Sequence, residues 1–185
     1  MEKTKEQITA ETLRKAAETA AAKGMDIIVA SSTGATALQL KSIADEAGFK
    51  GNIIAVTHVY GSRKIGECPA EENFPAMREQ GMRIVTAAHA LSGAERGISS
   101  KFGGTYPVEI MAHTLRMFGP GVKVCVEIAM MACDNGATPY GKPVVCIGGT
   151  GSGADTVCIV SPSYSAKVFD LKVNEVIAKP DLYEG

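Results

Sequence analysis

The chain has no tryptophan, and aromatic residues make up only 5% of its 185 positions, which leaves few side chains to stack on a flat ligand ring. Its five cysteines, Cys68, Cys125, Cys133, Cys146 and Cys158, include no C-x-x-C pair. An odd count without such a pair argues against both a disulfide framework and a zinc clip, so small buried hydrophobes are expected. Nineteen Lys plus Arg balance twenty Asp plus Glu to a net charge of −1, and no basic cluster exceeds Arg63-Lys64; this argues against a nucleic-acid surface. The longest stretch without a charge, residues 27–40, contains Ser, Thr, Gly and Gln and falls short of a bilayer span. No apolar stretch precedes Arg14, so no secretory signal is expected and the reading is a cytoplasmic protein away from membranes.

What remains is ordinary globular composition, 45% hydrophobic and 21% charged, in a length that fits one domain over residues 1–185. Glycine alone is skewed: 20 residues, of which twelve lie from Gly93 to Gly153, so special backbone geometry is expected in the second half.

The spacing of Ile8, Leu13, Ala16, Ala17 and Ala20 predicts a helix over 5–23 closed by Gly24. Residues 25–30 form a short β-branched run of the kind buried on both faces of a parallel sheet. A polar turn over 31–36 leads into helical spacing from Ala37 to Ala47, stopped by Gly48. The unit repeats with a strand at 52–57, a helix at 71–80 and a strand at 83–88. Strands alternating with helices at this spacing predict a three-layer α/β/α sandwich with right-handed crossovers. Residues 89–106, rich in Gly and Ser, read as a long loop acting as a lid. A helix with proline in its first turn follows over 107–118. Residues 122–133 fit either period; their length and the Asn135-Gly136 stop favour a helix. Residues 143–147 are a buried strand, and 156–160 return too soon for a crossover, so antiparallel pairing is expected. Residues 169–178 alternate weakly, as an edge strand does.

Ligands of open α/β sheets bind beyond the carboxyl ends of the parallel strands. The turn Ser31, Ser32, Thr33, Gly34, Ala35, Thr36 falls there, where unpartnered helix amides, a positive dipole end and hydroxyls suit a phosphate; the competing reading is a simple helix cap. It lacks the lysine of a P-loop. The run Gly148, Gly149, Thr150, Gly151, Ser152, Gly153 can form an amide nest or merely a sharp turn. His58 and His89 end two strands on that same rim, as ligand contacts or as structural residues. His113 reads as structural, and Glu127, in an apolar helix, must pair with a lysine or face solvent. No metal-spaced cluster, paired carboxylates or Ser-His-Asp order stands out.

The run Ile-Ile-Val-Ala-Ser-Ser-Thr-Gly-Ala-Thr-Ala over 27–37, with Val-Thr-His at 56–58, Ile-Gly-Gly-Thr-Gly-Ser-Gly-Ala-Asp-Thr at 147–156 and Ile-Ala-Lys-Pro at 177–180, resembles the C-terminal α/β domain of pyruvate kinase. The likeness is closest to stand-alone archaeal and bacterial proteins built on that domain, and it covers nearly the whole chain. It implies a mixed, mainly parallel five-stranded sheet with the last strand antiparallel, and no pyruvate kinase activity. It also implies a bound phosphorylated small molecule, flavin mononucleotide (FMN). Its phosphate would sit on Ser31, Ser32, Thr33, Gly34 and Thr36. Its ring would lie against Gly148, Gly149, Thr150, Gly151 and Gly153, beside His58 and His89, under a lid contributing Gly104 and Thr105. Tyr60, Phe102 and Tyr106 are the stacking candidates. Three functions follow as expectations: a flavin-binding protein, an oxidoreductase if it is an enzyme; a non-enzymatic sensor of a phosphorylated metabolite; or a hydrolase or transferase using His58 or His89 as base, for which no nucleophile stands out. A homo-oligomer is the general expectation.

Overall fold

Thr4 opens helix α1 (Lys5–Lys23): its hydroxyl accepts from the Gln7 amide while the Gln7 side chain accepts from the Thr4 amide, a capping box. Gly24, at φ +62°, closes the helix in the left-handed region. The computed structural model describes residues 3–62 and 64–183. After α1 come β1 (Ile27–Ala30), α2 (Ala35–Glu46), β2 (Ile53–Thr57), α3 (Phe74–Glu79), β3 (Arg83–Thr86), α4 (Gly93–Phe102), α5 (Pro107–Arg116), α6 (Pro120–Asp134), β4 (Val144–Gly148), β5 (Thr156–Ser161) and β6 (Lys172–Ala178).

One sheet holds all six strands in the order β3-β2-β1-β4-β5-β6. The first four are parallel neighbours; β5 and β6 join antiparallel. The fold is thus the expected three-layer α/β sandwich, with one strand more than the five the resemblance implies. The extra strand is the edge strand expected over 169–178. It starts at Lys172, and five of its seven residues are exposed, which is why its alternation is faint in the sequence.

The period of two in the strands sorts the core into two layers. Ile27, Val29, Ile53, Ala55, Val145 and Ile147 face α1 and α2, where the alanine stripe Ala16, Ala17 and Ala20 lets α1 lie close to the sheet. Ile28, Ile54, Val56, Val85, Val144 and Cys146 face α6 through Cys125, Ile128, Ala129 and Ala132. The far side of α6 packs Val126 and Met130 on Leu91 and Ala112 of the α4–α5 region. Covered on both sides, α6 is apolar nearly all round, which erased the helical stripe and made its sequence ambiguous. All five cysteines are buried and free.

Three expectations are corrected. Ile8 stays 38% exposed, and Thr9 turns inward instead, its hydroxyl accepting from the Ala154 amide at 3.1 Å. The helix expected over 71–80 is a 3-10 turn, Glu71–Asn73, followed by α3. Pro75 explains the break, since it lacks an amide and is tolerated only in a first helical turn. Residues 89–106 are not a loop, because α4 occupies most of them. Gly93, Gly97, Ser99 and Ser100 hide this helix from propensity, and tertiary bonds hold it. The Glu95 carboxylate accepts from the Val108 and Glu109 amides that open α5, and Ser99 donates to Glu109 at 2.6 Å. Among the described residues no helix is long and apolar enough to cross a membrane.

Candidate functional site

The chain order reverses at β1, which has β2 on one side and β4 on the other. A crevice therefore opens beyond the carboxyl ends of these strands, and the structure has a cleft of about 710 Å³ there, within the range of small-molecule sites. β1 delivers Ser31, Ser32, Thr33 and Thr36 to it, β2 delivers Thr57 and His58, the segment after β3 delivers His89, and the turn after β4 delivers Gly149, Gly151, Ser152 and Gly153. Segments far apart in sequence thus meet because parallel strands end on one rim.

The turn before α2 is both cap and open site. The Ser31 hydroxyl, buried, accepts from the Ala37 amide at 3.1 Å, which is the capping role. Among the described residues the amides of Ser32, Thr33, Ala35 and Thr36 donate to no acceptor. Four unpartnered N–H groups at the positive end of a twelve-residue helix, beside the hydroxyls of Ser32, Thr33 and Thr36, form an arrangement suited to an oxyanion.

Several expected site residues do not line the cleft. Gly34 sits at φ +87°, and a Cβ there would meet Asn73 Cβ at 2.8 Å and Met77 Sδ at 3.1 Å. Its bareness serves the packing of α2 on α3, not close approach of a ligand. Gly148 ends β4, where a Cβ would lie 2.4 Å from the Gly121 carbonyl; it lets α6 approach the strand. Thr150 faces a second depression, of about 660 Å³, between α1 and the end of β6. Its amide donates to the Asp155 carboxylate at 2.8 Å, which pins the glycine turn from behind. Gly104 and Thr105 lie in the α4–α5 connection and are absent from the cleft wall, as are Tyr60, Phe102 and Tyr106; Phe102 is 74% exposed.

The wall opposite α2 corresponds to no motif in the sequence. It comes from α4, α5 and α6 and carries Arg96, Glu109, His113, Arg116, Lys123 and Glu127, with Val124, Ile128 and Met131 as its apolar face. His113 therefore belongs to the cleft. Lys123 and Glu127 were legible as an i, i+4 pair in an apolar helix. Arg96 and Arg116 gave no signal, since only the packing of α4 and α5 brings them to the rim.

Glu127 is the centre of a buried polar network. Its Oε2 accepts from Lys123 Nζ at 2.5 Å and faces His89 Nδ1 at 3.4 Å, while its Oε1 accepts from the Leu91 amide at 3.0 Å. His89 Nε2 lies 3.2 Å from His58 Nδ1. Burial works against the charged carboxylate, but the His89 hydrogen bond and the Lys123 ammonium outweigh it and hold Glu127 down to about 2. Of the two outcomes expected for Glu127, pairing with a lysine is the one realised. Among the described residues no group of three or more His, Cys, Asp or Glu is placed to hold a metal ion.

These features define an open, mixed α/β domain with a polar cleft at its topological switch point. The chain belongs to the pyruvate kinase alpha/beta domain family, whose pattern matches residues 7–160.

Proposed function

We propose that the cleft binds a phosphorylated small molecule through the turn before α2, and that FMN is that molecule. The observation that carries the reading is the set of unpartnered amides at Ser32, Thr33, Ala35 and Thr36, in a turn whose Ser32, Thr33 and Thr36 line the same cleft as Gly149, Gly151 and Gly153. Amides at a helix N-terminus bind phosphate without a lysine.

The cleft fits FMN in part by aromatic-free means. The phosphate end is a helix N-terminus with hydroxyls, and the ring end offers Val124, Ile128 and Met131 as an aliphatic and thioether wall in place of stacking aromatics. When bound, the flavin supplies electron-transfer chemistry that the side chains lack. The protein binds the phosphate, orients the ring and screens it from water. The location of Tyr60, Phe102 and Tyr106 away from the cleft wall favours a second reading, a non-enzymatic sensor of a phosphorylated metabolite.

Purified protein is to be examined by visible absorption, with mass spectrometry of whatever denaturation releases. Oxidised flavin bands and released FMN support the first reading. A colourless protein that takes up no added FMN but is thermally stabilised by sugar phosphates supports the sensor. Stabilisation by neither overturns the phosphate site.

A further inference from the structure

Three cationic side chains, Arg96 of α4, Arg116 of α5 and Lys123 of α6, line the cleft against two carboxylates, Glu109 and Glu127. The whole chain carries −1, so the cleft is a positive spot on a slightly negative protein. Both carboxylates are engaged: Glu127 by Lys123 and the Leu91 amide, Glu109 by the Ser99 hydroxyl at 2.6 Å. Neither guanidinium makes a hydrogen bond or an ion pair with any described residue, and each offers five N–H donors in a planar fork. Lys123 is only 7% exposed. It gives one N–H to Glu127 Oε2 at 2.5 Å and keeps two with no acceptor among the described residues, a costly arrangement for a buried ammonium unless an acceptor reaches it. The Ser92 hydroxyl, also in the cleft, caps no amide of α4.

We infer that Arg96, Arg116 and Lys123 form a second anion subsite in the cleft, on the wall opposite the turn before α2, and that it takes the carboxylate of a small organic acid. The two walls suit different anions. Helix-end amides and hydroxyls converge on one point, as a phosphate requires, whereas guanidinium forks match the two coplanar oxygens of a carboxylate. Lys123 adds a point charge at the buried end, beside Val124 and Ile128, where the carbon skeleton of the acid finds an apolar surface. The bonds from Glu95 to the Val108 and Glu109 amides dock α4 on α5, so the backbone that carries Arg96 is fixed before the acid arrives. The cleft then holds two ligands: the phosphorylated molecule on the α2 side and the acid on the α4–α6 side. That second ligand is the reaction partner if the protein is an enzyme.

The pairing of two ligands rests on the phosphate reading above; the carboxylate subsite does not. Succinate, a dicarboxylate without phosphorus, is the probe, and phenylglyoxal, which modifies free guanidinium groups, is the reporter. With adducts mapped by mass spectrometry on the wild-type protein, millimolar succinate is expected to slow modification of Arg96 and Arg116 several-fold and to leave Arg14 and Arg83, outside the cleft, unchanged. Uniform slowing of all four, or equal slowing by sodium chloride at the same ionic strength, overturns the subsite. Succinate is also expected to raise the thermal midpoint of the wild type. Arg96→Gln with Arg116→Gln is expected to abolish that rise, and Arg96→Lys with Arg116→Lys to keep only part of it, since an ammonium offers no fork. A full rise in the glutamine variant overturns the subsite. Lys123→Met with Glu127→Leu, which leaves no buried charge, is expected to weaken succinate binding several-fold; unchanged binding overturns the assignment of Lys123. If wild-type protein takes up no FMN and is stabilised by no sugar phosphate while succinate still protects both arginines, the phosphate placement falls and the carboxylate subsite stands. FMN uptake without succinate protection gives the reverse.

Discussion

Glu127→Gln removes the carboxylate that joins Lys123, His89 and the Leu91 amide in the buried wall of the cleft. Glu127 is held at about 2 against an ordinary 4.5, which corresponds to about 3 kcal/mol of folding stability at roughly 1.4 kcal/mol per tenfold in proton affinity. The sign follows from the lowered value: the contribution is complete above the unfolded carboxyl range, near pH 5, and is lost as pH falls toward 2. The variant also strands Lys123, only 7% exposed, and breaking a buried pair in this way costs roughly 3–5 kcal/mol. Urea unfolding at pH 7 is therefore expected to show a loss of about 3 kcal/mol, narrowing steadily between pH 5 and pH 2 as the wild type gives up the same contribution. Replacing both partners, Lys123→Met with Glu127→Leu, is expected to recover most of the loss, because no uncompensated charge remains. A single variant within about 0.5 kcal/mol of wild type at pH 7, or a gap that does not change with pH, refutes the assignment of Glu127 as an ionised anchor.

Other substitutions test the packing that builds the cleft. Gly121→Ala places a Cβ 2.0 Å from Thr156 Oγ1 and 2.8 Å from Asp155 Oδ1, so thermal unfolding is expected to show a cost of about 3 kcal/mol, whereas Gly24→Ala, with open space around it at φ +62°, costs only about 1 kcal/mol. Ser31→Ala removes the hydroxyl that caps Ala37 and is expected to cost about 1 kcal/mol in urea unfolding. Leu13→Ala empties a fully buried position under the sheet and is expected to cost about 2–5 kcal/mol. Glu95→Gln weakens the carboxylate bonds to the first amides of α5, and faster amide exchange in α4 and α5 is the expected sign.

The local pattern of residues determined the layers, the parallel strands and the antiparallel return of β5, because hydrophobic period, glycine stops and β-branched runs act over a few residues, while length and the Asn135-Gly136 stop marked a helix over 122–133 where the period was ambiguous. It also marked the turn before α2, whose hydroxyls and helix start are contiguous in the chain. It could not assign the glycines. Gly34 and Gly148 look like ligand-facing residues in sequence and are packing residues in the fold, since only a neighbour from elsewhere in the chain, Asn73 or Gly121, makes a side chain impossible there. Helix α4 escaped for a related reason: its own propensity is weak, and the bonds from Glu95 and Ser99 to α5 that hold it exist only after docking. The polar network in the cleft wall was likewise beyond the reach of sequence order, because His58, His89 and Glu127 come from three separate segments. Tertiary structure decided it, by ending two parallel strands on one rim and laying a buried helix across them.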